Sequence, residues 1–329
     1  MIILITIKDV AKAANVSVAT VSRAINNDKN ISQDTRNYVM NIIDKLGYTP
    51  NVLGRNLRIS QTKRVLILLP DSANPFYPEV LKGINSVADE AGFLTMISCS
   101  NSEVNREKLY INQVLNKSYD GLILASSQLS AEELSAFQKR APIVMFCEYV
   151  DNADVMCVTI DNRKAEFEAI NYLILKGHKR IGLIANDTSY SGKERIKGYI
   201  DAHVYNRLPV REEYIIRGGY KYSCGMDGTK QLMRLSNPPT AIAAITDFLS
   251  LGVNNYLAQS EDPICKTVEI FGFDNTPIAN IIHNAINTVA QPGYEIGKRT
   301  MELLLQKING NKEHNEMVFL EHSLLLKHE

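Results

Sequence analysis

The chain has 329 residues, of which 45% are apolar and 22% charged. That is more than one compact domain usually holds and enough apolar surface for real cores, so disorder, collagen-like repeats and coiled-coil fibres are excluded and two or three globular units are expected. The formal net charge is zero. No stretch approaches the roughly 20 uninterrupted apolar residues of a membrane helix. The opening Met1–Ile5 is too short for a secretory core and has no basic segment before it, so a cytoplasmic protein without membrane contact is expected.

Five cysteines, Cys99, Cys147, Cys157, Cys224 and Cys265, are scattered and never spaced C-x-x-C, which argues against a disulfide frame or a structural zinc site. The chain carries no G-x-G-x-x-G, P-loop, G-x-S-x-G or H-E-x-x-H pattern, and its six histidines show no metal spacing. The expectation is a non-enzyme with no cofactor and no metal.

Charge is unevenly placed. Residues 1–64 hold ten Lys or Arg against four Asp, a net +6, so the remaining 265 residues carry −6. A small basic module joined to a larger acidic one suggests that the first faces a polyanion.

Within that module Val10, Ala13, Ala14 and Val16 recur at helical spacing, and Asn15 sits where a tight turn needs positive φ. Ser17 is an N-cap for a second helix with Val21, Ala24 and Ile25 inward. Its other stripe, Val18, Ala19, Ser22, Arg23 and Asn26, is short, polar and basic, as a helix in a DNA major groove requires. Ser32-Gln-Asp-Thr opens a third helix through Val39, Ile42, Ile43 and Leu46, stopped by Gly47.

The ordered set Thr6-Ile-Lys-Asp-Val-Ala, Val16-Ser-Val-Ala-Thr-Val-Ser-Arg23, Asn26, Thr35-Arg36 and Leu46-Gly-Tyr-Thr-Pro-Asn51 resembles the DNA-binding headpiece of LacI/GalR bacterial repressors. The resemblance implies that Val18 and Ala19 select bases while Thr6, Ser17, Thr20, Ser22, Arg23 and Asn26 contact the duplex. Asn51-Val-Leu-Gly-Arg-Asn-Leu-Arg58 resembles the family's hinge helix, with Leu57 as minor-groove wedge and Arg55 and Arg58 beside it. Gly54 stands where the family commonly has alanine, at a cost of about 1 kcal/mol of helix propensity.

From Val65 onward, buried-type strands alternate with helical patterns: Val65–Leu69, a helix over Glu79–Ala91, Leu94–Ile97, Leu109–Leu115, Gly121–Ala125 and Ile143–Phe146. The series repeats with Arg180–Ile184, a helix from Lys193, Thr240–Ile245, Leu249–Leu257 and Val268–Phe271. This predicts an α/β fold of two parallel, doubly wound sheets in two lobes, with a ligand cleft at the strands' carboxyl ends.

Asp71-Ser-Ala-Asn-Pro-Phe-Tyr77, Asp161-Asn162, Gly177-His-Lys-Arg-Ile181, Glu194-Arg-Ile-Lys-Gly-Tyr199, Gly272-Phe-Asp-Asn275 and Thr288-Val-Ala-Gln-Pro292 are similar to the family's periplasmic-binding-protein-like core. By that resemblance Phe76, Tyr77 and Tyr220 supply flat apolar faces, and Arg195, Asp247, Asp274 and Gln291 hydrogen-bond an effector, with Ser126 and Glu148 adding contacts. Such a mixture suits sugar hydroxyls.

The division expected is a headpiece and hinge over 1–60 and an effector-binding, dimerising core over 61–329. Its lobes interleave, 63–160 with 292–318 and 161–291 with 319–329, crossing at Asp161-Asn162, at Gln291-Pro292 and near Phe319. The expected partners are a pseudo-palindromic double-stranded operator, a small carbohydrate-like effector and a second copy of the chain as homodimer. The alternative is a solute-binding protein without a DNA role.

Overall fold

A computed structural model describes residues 5–49, 61–281, 286–311 and 317–327. The chain divides into two compact units at 61/62.

In the first unit three helices enclose a small core. Helix α1 spans Ile7–Ala13, α2 Val18–Ile25 and α3 Gln33–Leu46. Asn15 takes the left-handed conformation, φ 52°, between α1 and α2, as the turn demands. Ser17 and Ser32 cap α2 and α3 by accepting the amides of Thr20 and Thr35. Gly47 ends α3 at φ 63°. Val10, Val21, Ala24 and Val39 are fully buried.

The second unit contains two six-stranded sheets. The first has the order β11-β5-β4-β3-β1-β2, from β1 (Arg64–Leu69), β2 (Leu94–Cys99), β3 (Gly121–Leu124), β4 (Ile143–Phe146), β5 (Cys157–Ile160) and β11 (Met317–Leu320). All of its pairings are parallel, with Leu66 opposite Met96 and Leu122 in register. The second has the order β12-β10-β9-β8-β6-β7, from β6 (Ile181–Ala185), β7 (Ile215–Arg217), β8 (Ala241–Ala244), β9 (Glu269–Asp274), β10 (Asn287–Ala290) and β12 (Ser323–Leu325). It is parallel except at its edge, where β12 runs antiparallel to β10. Strands such as Leu66–Leu69 and Ile143–Phe146 are buried throughout, as sheets covered on both faces require.

The chain crosses between lobes after β5, after β10 and after β11. The last crossing lies at residues 321–322, just beyond Phe319, because Phe319 still pairs with Thr159 in the first sheet. The helix Gly293–Ile308 thereby returns to the first lobe and lies on the helix Tyr77–Glu90. Glycine is required at that contact: a Cβ on Gly297 would stand 1.9 Å from the Val80 carbonyl oxygen, and one on Gly83 2.0 Å from that of Tyr294.

Candidate functional site

Two groups of residues meet the requirements of recognition, one in each unit.

On α2 the inward positions are Val21 and Ala24, fully buried, with Ile25 against them. Val18, Ala19, Arg23 and Asn26 are exposed, and Ser22 and Thr20 half-buried. The outer stripe is therefore presented as a surface of small groups, hydroxyls and one guanidinium. Some of its polar atoms are already engaged. Asn26 donates its amide to the Ser22 carbonyl at 2.8 Å, and Ser17 and Thr20 share a hydroxyl hydrogen bond at 2.9 Å. Thr6 donates both its backbone N–H and its hydroxyl to Asp9, holding the start of α1 and keeping that carboxyl below its usual range. Arg36 donates to the Ala24 carbonyl at 3.4 Å, which ties α3 to the end of α2. The expected hinge contacts Arg55, Leu57 and Arg58, and Gly54, lie outside the described residues.

In the second unit the carboxyl ends of the strands gather most of the expected effector residues. Tyr77 follows β1, Ser126 follows β3, and Cys147 and Glu148 follow β4. From the other lobe come Ser189 and Ser191 after β6, Tyr220 after β7, Asp247 after β8, Asp274 at the end of β9 and Gln291 after β10. Arg195 reaches the same place from the helix Tyr190–Tyr205.

Arg195 is 4% exposed and firmly held. Its Nε donates to Asn162 Oδ1 at 2.9 Å, its Nη1 donates to the Ile245 carbonyl, and its guanidinium carbon lies 3.5 Å from the Phe273 ring centroid. Asp274 accepts from Gln291 Nε2 at 2.7 Å and has φ 109°, a backbone region costly for a residue with a side chain, of order 1–3 kcal/mol. Burial pushes its pKa from 3.8 up to about 8, an effect that Arg195 opposes and Asp247 reinforces.

The two lobes touch through Glu148. It accepts the Ser191 backbone N–H at 3.0 Å and the Ser191 hydroxyl, and Ser191 also lies 3.4 Å from the Tyr220 hydroxyl. Tyr220 shares a further hydrogen bond with Ser189. Tyr149 and Tyr190 meet edge to face at 5.7 Å beside this contact. Tyr77 packs edge-on against Phe146 at 6.1 Å, and burial together with Cys147 and Glu148 raises its pKa well above the usual value.

Three of the expected contacts sit differently from the rest. Asp247 is 0% exposed, and its carboxylate accepts the Thr276 amide at 2.6 Å, the Thr276 hydroxyl at 3.0 Å and the Thr288 hydroxyl at 2.8 Å. It therefore fastens the loop after β9 to β10. Phe76 is 6% exposed and lies in the first lobe's core, its ring 3.3 Å from a Cβ built on Gly293, so Tyr77 is the aromatic left to the cleft. Ser126 sits half-buried on its loop, and the engaged hydroxyl is that of Ser127, which donates to Glu107 at 2.7 Å.

Sequence reasoning did not single out Ser189 and Ser191, nor Asn162 as the residue that aims Arg195. It also missed Glu166, 2% exposed, with one carboxylate oxygen unpartnered and a pKa raised by burial from 4.5 to about 7, which Arg195 opposes. The helical interval between Asn162 and Glu166 was the available signal, since both fall on the face toward Arg195.

Among the described residues no group of three or more His, Cys, Asp or Glu is placed to hold a metal ion, and no helix is long and apolar enough to cross a membrane.

Residues 6–51 match the family of lacI bacterial regulatory proteins, and residues 62–328 match the periplasmic binding proteins and sugar binding domain of the LacI family. The transcriptional repressor CytR of Escherichia coli strain K12 is 36% identical over 93% of this chain and 90% of its own length. Catabolite control protein A of Priestia megaterium is 33% identical over 97% of both chains. Among solved structures, the transcriptional regulator CelR with cellobiose superposes with a TM-score of 0.74 at 26% identity over 98% of each chain. The lac repressor dimer on its operator has the same fold, TM-score 0.87 at 23% identity over 98% of this chain and 97% of that one. The headpiece, the two-lobed core and these likenesses agree: the chain belongs to the LacI family of bacterial regulatory proteins.

Proposed function

We propose that this protein is a cytoplasmic transcriptional repressor that binds a pseudo-palindromic operator as a homodimer and changes its grip when a small polyhydroxyl effector enters the cleft between its lobes. The observation that carries the reading is the pairing, in one chain, of an exposed recognition stripe on α2 with a cleft built around a fixed Arg195 and the Asp274–Gln291 pair. Val18, Ala19, Ser22 and Arg23 would meet base edges and phosphates, with Thr6, Ser17, Thr20 and Asn26 shaping and flanking that surface. Arg55, Leu57 and Arg58 are assigned to the hinge by family resemblance alone.

In the cleft, Arg195, Asp274 and Gln291 supply bidentate polar contacts, Tyr77 and Tyr220 the flat walls, and Glu148 a carboxylate from the facing lobe. Three short crossings between the lobes permit hinge closure, by which occupancy would reset the headpieces of a dimer. A solute-binding protein without a DNA role is the weaker reading, because it leaves the matched headpiece unused. The test is selection from sheared genomic DNA followed by mobility shift. The regulator reading expects enrichment of sites with two-fold symmetry, and recovery of only salt-sensitive, sequence-independent binding would remove it.

A further inference from the structure

The helix Tyr190–Tyr205 points its N-terminus toward the cleft, and the amides of its first turn have no partners within the helix. A site of this kind receives phosphate groups well, because unpaired N–H donors and the helix dipole act together. Here the position is already taken. Ser189 caps the helix by accepting the Gly192 amide at 3.1 Å, and Glu148 crosses from the other lobe to accept both the amide and the hydroxyl of Ser191.

Among the described residues, the surrounding groups leave no cation free for a phosphate. Arg195 stands among the carboxyl groups of Glu148, Asp274 and Glu166, and Asp247 lies near Asp274. Burial raises the pKa of each of these four groups, and Arg195 opposes the rise at Glu148, Glu166 and Asp274. The guanidinium of Arg195 is thus already drawn on by three carboxyl groups. Arg195 is also committed, through Asn162 and the Ile245 carbonyl, with its guanidinium carbon over the Phe273 ring.

We propose that Glu148 is a specificity-determining residue that occupies the helix N-terminus as a built-in anion, so that the cleft takes uncharged polyhydroxyl effectors and rejects phosphorylated ones. The inference rests on the cleft assignment made above and adds the class of ligand. An uncharged hydroxyl entering beside Glu148 donates to its carboxylate and leaves the Ser191 contacts in place. A phosphate monoester, at about −2, meets the Glu148 carboxylate and finds the Ser191 and Gly192 amides already taken, with none left to replace its water.

The test uses the full-length protein at pH 7.5 and constant ionic strength, with inorganic phosphate, glucose 6-phosphate, glucose and cellobiose as probes. Binding is read by calorimetry and by the shift of the melting temperature. The wild type is expected to be as indifferent to phosphate and glucose 6-phosphate as to matched chloride. Glu148→Ala and Glu148→Gln, which free the Ser191 amide from an anion, are expected to bind inorganic phosphate at least about tenfold more tightly than the wild type. Stoichiometric binding of phosphate or glucose 6-phosphate to the wild type overturns the proposal, as does indifference to phosphate in both variants.

Amide exchange at Ser191 in the wild type supplies a reading that needs no variant. Slow exchange is expected, and exchange at the rate of an open amide overturns the proposal. Operator binding of the same preparations is measured separately, so a failure to bind DNA would sink the regulator reading and leave the phosphate result standing.

Discussion

The guanidinium carbon of Arg195 lies over the ring of Phe273, 3.5 Å from its centroid, with Asn162 fixing its Nε. An arginine so held loses little side-chain freedom when a ligand arrives, because the protein has already ordered it. Arg195→Ala is expected to abolish the response to effector and also to lower stability by about 1–3 kcal/mol, since Asn162 Oδ1 and the Ile245 carbonyl lose a buried donor. Arg195→Lys should recover part of the stability and little of the response. Urea unfolding and an effector titration of operator binding separate the two effects, and full recovery of the response by lysine would show that the planar fork is not used.

Asp274 and Gln291 face each other at 2.7 Å in the same cleft. Asp274→Ala is expected to leave operator binding within about twofold and to remove the effector response, since hydrogen bonds to a carboxylate are worth roughly 1.5–3 kcal/mol each. A mobility shift with and without effector decides it, and an unchanged response would mean that the effector binds elsewhere.

The raised pKa of Glu166 makes a statement about stability. Its folded value, about 7, lies above the usual 4.5, so between those pH values the unfolded chain releases its proton before the folded one does. Stability from this group is therefore present below about pH 4.5 and lost as pH rises toward 7 and beyond. Glu166→Gln should flatten the fall in melting temperature between pH 5 and pH 8, by the equivalent of about 1–3 kcal/mol. An identical pH profile in wild type and variant would place the buried proton elsewhere. Asp274, raised to about 8, contributes in the same sense.

Arg23 is exposed at the last turn of α2 and belongs to the stripe proposed to meet DNA. Arg23→Ala is expected to weaken operator binding by about 1–3 kcal/mol while leaving the melting temperature unchanged. Operator affinity retained at moderate salt would remove α2 as the recognition helix.

Asp247 is expected to act on stability rather than on the ligand. Asp247→Ala strips three hydrogen bonds from Thr276 and Thr288 and leaves those donors buried, so a loss of about 3–5 kcal/mol is expected in urea unfolding. A loss below about 1 kcal/mol would return Asp247 to the ligand site.

The headpiece was legible because its information is local. Caps at Ser17 and Ser32, the positive φ at Asn15 and the buried face of α2 each depend on residues within one or two turns. The strands of the core were legible where they are wholly apolar, as at Val65–Leu69 and Ile143–Phe146. They were missed where short or polar, as at Asn287–Ala290, whose Asn287 turns its amide to Glu269. The antiparallel edge β12 leaves no local trace, since pairing direction is set by where the third crossing returns the chain.

The same limit governs the cleft. Sequence placed Asp247 and Asp274 at strand ends, but which carboxylate is tied up inside the lobe depends on Thr276 and Thr288, 29 and 41 residues from Asp247. Glu148 and Ser191 are 43 residues apart and in different lobes, so their contact exists only once both sheets are built.

Regulation by this protein requires that occupancy of the cleft change the grip on DNA. The direct measurement is the affinity for a selected palindromic site, at fixed moderate salt, with the cleft empty and with it saturated by an uncharged ligand found by thermal shift, in wild type and in Asp274→Ala. The account predicts a change of at least about fivefold in the wild type and none in the variant. Equal affinities in the wild type, with the cleft demonstrably filled, would contradict it.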